Sequence, residues 1–208
     1  MVVPVLIIAV RQLINGDCFL IRNNLTPKQL RRFKLQDHYF VLDIIIQRHV
    51  KGYGSNFAKY WDDYKAGFGS PEGNYFWIGL DRMHELTSSG DYYLEVQLRR
   101  GGQTKTVKWM IFWVDPESNK YRLTVNEFDR GTSGLSDLLS GQHGHKGMAF
   151  STRDRDNDQD PRNACSTFYG NSGWWYSNCF ACHLNHGKSS GPRYGDYYDE
   201  STMILKRK

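Results

Sequence analysis

The stretch FSTRDRDNDQDPRNACSTFYGNSGWWYSNCFAC, residues 150–182, decides how this chain is read. Four aspartates alternate at Asp154, Asp156, Asp158 and Asp160. Carboxylates so spaced repel one another unless a cation sits among them. Cys165 and Cys179 flank a Gly- and Asn-containing turn that carries Trp174, Trp175 and Tyr176. The pattern suggests a metal-braced loop beside a disulfide-braced loop, in a chain that meets an oxidising compartment.

Each half of that reading has competitors. An EF-hand needs Gly at position 6 and Glu at position 12. Counted from Asp154 those positions hold Gln159 and Cys165, so the EF-hand fails. Oxygen donors still favour calcium over zinc, with a solvated acidic turn as the equal alternative for these residues taken alone. Cys179, Cys182 and His183 spell the CxxCH of c-type haem attachment, and Cys179, Cys182, His183 and His186 can be drawn as a zinc site. Four ligands within eight residues close a tetrahedron poorly. A loop closed between Cys165 and Cys179 suits the surroundings better. Trp174, Trp175, Tyr176 and Tyr169 read either as core or as the walls of a ligand pocket.

The chain has 208 residues, enough to bury one domain-sized core. Aromatic residues make up 14% and glycines number 20, a balance that favours sheets, turns and ordered loops over helix bundles. The net charge of +5 is scattered; Arg31, Arg32, Lys34 and the tail Lys206, Arg207, Lys208 are its densest clusters. No nucleic-acid motif accompanies it, so a nucleic-acid partner is not expected. No stretch is long enough to span a membrane. Met1–Val10 is apolar but lacks a basic start, and reads as a truncated signal or a strand within a separate segment 1–14. Asn24-Leu25-Thr26 is a glycosylation sequon. Cys18, Cys165, Cys179 and Cys182 allow three full pairings. The histidines, including His84, His143 and His145, have no partnered nucleophile, and nothing points to an enzyme.

Periodicity predicts short helices over Thr26–Phe33 and Asp81–Leu86 and an amphipathic helix over Asn56–Phe68, with Phe57, Tyr60, Trp61 and Tyr64 on one face. Strands are predicted over Val41–Ile46, Tyr75–Leu80, Tyr92–Leu98, Thr106–Val114, Lys120–Val125 and Thr202–Leu205. After Gly131 the chain turns irregular, which in a compact domain calls for bracing.

The pieces Ile46-Gln47-Arg48, Phe57–Gly69 (FAKYWDDYKAGFG), Phe76–Leu80 (FWIGL), Leu86-Thr87, Tyr93–Leu98, Tyr121–Val125 (YRLTV), Gly147–Asp158, Trp174-Trp175-Tyr176 and Asn178-Cys179 stand in one order. In that order they resemble the fibrinogen C-terminal-related domains of ficolins, tachylectins, tenascins, angiopoietins and fibrinogen chains, over residues 15–208. The resemblance implies an α+β fold: a twisted, mainly antiparallel central sheet with short helices and an irregular calcium-binding C-terminal subdomain. It implies Ca2+ held by the carboxylates of Asp156 and Asp158. Backbone carbonyls drawn from Asp160, Arg162 and Asn163 complete the site, the count being blurred by one extra residue before Cys165. It implies a Cys165–Cys179 disulfide and a cis Asn178–Cys179 peptide. The ligand pocket would be lined by Tyr169, Asn178, Cys179, Phe180 and Ala181, with Tyr194 from the Ser189–Tyr198 loop. The chain departs from the family in carrying Phe180 where many lectin members have His, and in its shortened C-terminal loop. Cys182 is extra, and Cys18 lacks its usual partner. The expectation is a secreted, calcium-dependent lectin-like domain for N-acetylated carbohydrate on microbial surfaces. The alternative is a module for a protein ectodomain with a degraded sugar pocket; either form can oligomerise.

Overall fold

The computed structural model describes residues 43–141 and 144–208 in full, and before them the strand backbone at Ile7–Val10, Leu20–Arg22, Lys34–Leu35, His38–Tyr39 and Leu42. Cys18, the Asn24 sequon, the Thr26–Phe33 helix and His143 lie outside the described residues.

Strands β1 (Ile7–Val10), β2 (Leu20–Arg22), β3 (Lys34–Leu35) and β4 (His38–Tyr39) precede β5 (Leu42–Val50). Then come α1 (Trp61–Ala66), β6 (Phe68–Gly69), β7 (Tyr75–Trp77) and α2 (Leu80–Thr87). β8 (Tyr92–Arg100), β9 (Gln103–Val114) and β10 (Leu123–Asp129) follow. Beyond them lie α3 (Cys165–Phe168), β11 (Cys182–His183), β12 (Arg193–Tyr194), β13 (Asp196–Tyr197) and β14 (Glu200–Arg207). The main sheet runs β10-β9-β8-β14-β5-β1-β2 with the β6–β7 hairpin on β5, and each of its pairs is antiparallel. The last strand thus enters the middle of the sheet, between β5 and β8. Its residues Ser201–Leu205 are buried without alternation, because both faces of the sheet are covered. On β9, Val107 and Trp109 are buried from one side and Phe112 and Val114 from the other, as strand alternation dictates. The second side meets α2, where Thr87 Oγ1 accepts the Val114 N–H at 3.1 Å.

Three predicted elements change. The helix over Asn56–Phe68 is a 3-10 turn at Gly54–Phe57 followed by α1. Carboxylates stop the helix from extending backward: Asp63 accepts the Tyr60 N–H at 3.1 Å and Asp154 the Trp61 N–H at 3.0 Å. Tyr60 therefore leaves the predicted buried face and stands 52% exposed. The Tyr75–Leu80 strand ends at Trp77, since Gly79 adopts φ +101° and a Cβ there would lie 2.8 Å from the Ala66 carbonyl. The Lys120–Val125 strand starts only at Leu123, because Lys120 and Tyr121 take left-handed φ values of 55° and 49°.

The irregular region is nailed to this frame by aromatic side chains. Trp174, Trp175 and Tyr176 are fully buried, so all three are core and none is a pocket wall. The Trp175 indole N–H donates to the Tyr121 carbonyl at 2.7 Å and its ring meets Phe150 edge-on at 5.1 Å. Tyr64 on α1 donates its hydroxyl to the Phe57 carbonyl and accepts the Gly173 N–H, both at 2.8 Å. Gly173 must be bare, since a Cβ would stand 2.7 Å from the Tyr64 ring.

Candidate functional site

The acidic loop is a run of Asx turns. Asp156 Oδ1 accepts the Asp158 N–H at 3.1 Å, Asp158 Oδ1 the Asp160 N–H at 2.8 Å, and Asp160 Oδ1 the Arg162 N–H at 3.0 Å. Asp154 is turned elsewhere. Its Oδ1 takes the Thr152 hydroxyl at 2.7 Å and the Trp61 N–H, tying the loop to α1. Asp158 Oδ2 also accepts the Cys165 N–H at 2.7 Å, so the loop is fastened to the start of α3. Burial pushes the Asp158 carboxyl above its ordinary value, and the Asp156 carboxylate beside it pushes the same way, against the two N–H groups. Two carboxylates in contact on a half-buried loop, with no Lys or Arg between them, fit a hard divalent cation. The side chains that would hold Ca2+ are Asp156 and Asp158. The carbonyls of residues 160–163 accept no hydrogen bond among the described residues and would be the further oxygens of such a site. The Asp160 carboxylate does not join them: it lies within 4.8 Å of the Cys165 and Cys179 sulfurs. Those sulfurs are bonded to each other and are not thiolate ligands.

The Cys165–Cys179 disulfide closes a loop of sequence separation 14 with its Cα atoms 5.5 Å apart, and the Asn178–Cys179 peptide is cis. Cys182 is a buried free thiol on β11. His183 is fully buried, its Nε2 3.1 Å from the Tyr176 hydroxyl and 3.3 Å from Ser172 Oγ. The CxxCH segment therefore offers neither two free thiols nor an accessible imidazole, and the haem and zinc alternatives lapse.

Past the disulfide the polypeptide builds an aromatic face. Phe180 meets Tyr169 edge-on at 4.5 Å and rests on His183 at 5.0 Å. Asn178, Cys179 and Ala181 lie in the same turn, none of them fully buried. The N–H groups of Cys179, Phe180 and Ala181 find no acceptor among the described residues. Beyond Tyr169, Phe168 stands 63% exposed.

Tyr194 does not join this face. It is 2% exposed, and its hydroxyl donates to the Ser136 carbonyl at 2.6 Å and accepts the Leu138 N–H at 3.3 Å. Its strand neighbour Arg193 points the other way, and brings with it Tyr197, the residue paired to it across β12–β13. The Arg193 guanidinium lies over Phe180 at 5.3 Å and Tyr197 at 5.7 Å. Lys188 occupies the opposite flank, 5.9 Å from the Phe168 ring and 5.7 Å from Tyr169. The expectation put Tyr194 of the Ser189–Tyr198 loop on the pocket; the structure buries Tyr194 and turns Arg193 toward Phe180 instead. A one-residue shift along a strand exchanges its two faces. The sequence reading did not name Arg193, Lys188, Tyr197 or Phe168; Arg193 and Tyr197 lie in the GPRYGDY stretch, whose spacing does not separate them from Tyr194.

Beneath the face lies a nest of buried imidazoles. His49 Nδ1–H donates to the Leu184 carbonyl at 2.8 Å, and its Nε2 has no partner. His183 and His186 each have an unpartnered buried Nδ1, and their rings lie 5.4 Å apart. His145 joins the Trp175 carbonyl at 2.6 Å and the Cys182 N–H at 3.2 Å. Burial pulls His49, His145 and His186 down to about 4, and His183 falls well below its ordinary value for the same reason.

Comparison with known proteins matches residues 28–205 to the profile of the C-terminal globular domain of fibrinogen beta and gamma chains. Tenascin-R of Homo sapiens is 40% identical over 142 residues, which cover 68% of this chain and 10% of that protein. Angiopoietin-related protein 6 of Mus musculus is 40% identical over 157 residues, 73% of this chain and 32% of its own length. Fibroleukin of Bos taurus is 36% identical over 159 residues, 74% and 35% respectively. The chain therefore spans between a tenth and about a third of these relatives. Among solved structures, the fibrinogen-like globe domain of human ANGPTL6 superimposes with a TM-score of 0.70 at 30% identity, covering 97% of this chain and 89% of that one. A lamprey fibrin D-dimer complexed with a Gly-His-Arg-Pro-amide peptide shares the fold, with a TM-score of 0.70 at 24% identity over 96% of this chain and 69% of that one.

Proposed function

We propose that this protein, which belongs to the family of C-terminal globular domains found in fibrinogen beta and gamma chains, is a protein-binding module that works outside the cell. The observation that carries the reading is the outward face made of Phe168, Tyr169, Phe180, Tyr197 and Arg193. Exposed aromatics around an arginine are the composition of protein-interface hot spots. A small polar ligand is better served by a cleft with converging polar side chains. Here an apolar ring, Phe180, sits at the centre and a guanidinium covers it. The disulfide supports an extracellular setting, and no helix of the described residues is long and apolar enough to cross a membrane.

Purified ectodomains displayed on an array test the reading. The expected result is a bound ectodomain whose affinity drops at least about tenfold with Phe168→Ala or Tyr197→Ala, the cost of losing one hot-spot ring. Free N-acetylglucosamine should leave it unchanged. Retention on N-acetylglucosamine resin, with release by the free sugar, would instead establish the lectin reading and sink this one.

Calcium belongs to the proposal as a brace. Holding Asp156 and Asp158 together, it steadies the loop that begins α3 and the disulfide turn beneath Tyr169 and Phe180. A site filled a hundredfold above its dissociation constant stabilises a domain by about 2.7 kcal/mol, or roughly 5–10 °C in Tm at this size. Scanning calorimetry with calcium and with chelator should show such a difference in the native protein and none in Asp158→Asn. Because the Asp158 carboxyl is raised, its contribution in metal-free protein is present at low pH and lost as pH rises through its folded-state value. The calcium effect should therefore be larger at pH 7 than at pH 4.

A further inference from the structure

We propose that the aromatic face selects a carboxylate: its occupant is a partner's protein segment in which an Asp or Glu side chain adjoins an apolar one. The proposal rests on the protein-binding reading above and adds the chemistry of the partner.

Two independent features of the face point the same way. Lys188 and Arg193 flank it on opposite sides, and neither makes an ion pair among the described residues. Each cation is held by rings. Arg193 lies over Phe180 and Tyr197, and its Nε–H reaches only the Gly195 carbonyl, at 3.4 Å. A guanidinium stacked on aromatic rings keeps its planar fork for a bidentate carboxylate, and little conformational freedom remains to be lost on binding. The second feature is the run of N–H groups at Cys179, Phe180 and Ala181, three consecutive donors with no acceptor among the described residues. Donors concentrated in one turn beside two cations suit an anion. The buried imidazoles beneath feel the same two cations. After burial, Lys188 and Arg193 both push His186 down, and Arg193 pushes His183 down. Asp196, whose carboxyl Arg193 also pulls down, is ion-paired to Arg100. Ser172 and the hydroxyls of Tyr169, Tyr176 and Tyr197 are the other polar groups around the two imidazoles.

The rest of the face argues for a peptide over an acidic glycan. Reading sugar hydroxyls takes several carboxylate or amide side chains around one ring. This turn offers only Asn178, and its remaining walls are Phe168, Tyr169, Phe180 and Tyr197. An apolar group of the partner can lie on that surface while the adjoining carboxylate meets Arg193.

Two fluorescein-labelled peptides test this by anisotropy: Gly-Ser-Glu-Phe-Glu-Ser-Gly and its counterpart with Gln in place of Glu. The Glu peptide should bind at least about tenfold more tightly, and added salt should narrow the difference. Arg193→Gln and Lys188→Gln should remove the preference with Tm unchanged, since both groups sit at the surface. Equal binding of both peptides, lost together in Phe180→Ala, would overturn the carboxylate assignment and leave protein binding at this face standing. Binding of neither peptide also overturns it, while the ectodomain array judges the wider reading separately. So does a sulfated oligosaccharide that binds in an Arg193-dependent way and outcompetes the Glu peptide.

Discussion

Lowering the pH from 7 to 5 is expected to remove much of this domain's stability. The cause is the group of imidazoles buried under the aromatic face. His49 and His145 are held down to about 4 by burial, which outweighs the carbonyls of Leu184 and Trp175 that favour their protonated forms. The unfolded protein takes up these protons near pH 6.5 and the folded protein only near 4. Their contribution is therefore whole above about pH 6.5 and disappears as pH falls toward 4. At pH 5 each costs roughly 1–2 kcal/mol, and His186 and His183 act in the same direction. Against a domain stability of about 5–15 kcal/mol, several such rings suffice to unfold the protein. Urea denaturation at a series of pH values, with calcium present so that Asp158 does not oppose the trend, should show the midpoint collapsing between pH 6.5 and 4.5. A midpoint that stays flat across that window would falsify the account. His183→Asn keeps a polar group near Tyr176 and Ser172 but cannot be protonated in this range, and should make the decline shallower.

Trp175→Ala is the single substitution expected to cost most. The ring is fully buried, meets Trp77 at 5.9 Å and Phe150 at 5.1 Å, and holds the Tyr121 carbonyl through its N–H. Emptying a site of this size costs about 3–5 kcal/mol, and the Tyr121 carbonyl loses its partner as well. The damage has a direction. Trp175 joins the irregular region to the sheet at the point where β10 begins, so the segment 131–181 should become sensitive to proteolysis before the sheet does. Trp175→Phe keeps most of the packing and loses the N–H, and should cost about 1–2 kcal/mol. A Trp175→Ala protein whose Tm and proteolysis pattern match the native ones would show that the region is held by other contacts. Trp174 is a useful contrast. It is equally buried, but its indole nitrogen has no partner, so Trp174→Phe should cost less than Trp175→Phe.

Much of the sheet was legible in the sequence because its strands are long and alternate. Tyr92–Leu98 and Thr106–Val114 fall inside β8 and β9, and Thr202–Leu205 inside β14. Elements were misjudged where a contact distant in sequence overrode local pattern. Asp154, 93 residues away, sets where α1 starts, although local spacing runs the helix back to Asn56. The acidic loop was legible because its residues hydrogen-bond to neighbours two positions on, while Asp154 turns away from Asp156 and Asp158 toward α1. The Cys165–Cys179 pairing followed from family resemblance, and the structure contains it.

By itself the sequence determined the family, the antiparallel sheet and the oxidised loop, because each is carried by residues close together or by an ordered set of motifs. Tertiary structure alone decided which side chains face out. A two-residue strand such as β12 has no periodicity to read, and its phase is set by pairing with β11 and β13. That pairing buries Tyr194 and presents Arg193 with Tyr197. It was also tertiary structure that gathered scattered histidines into one buried nest, since His49 meets the Leu184 carbonyl across 135 residues. Burial at that range is a property of the assembled sheet and of the loop that lies on it.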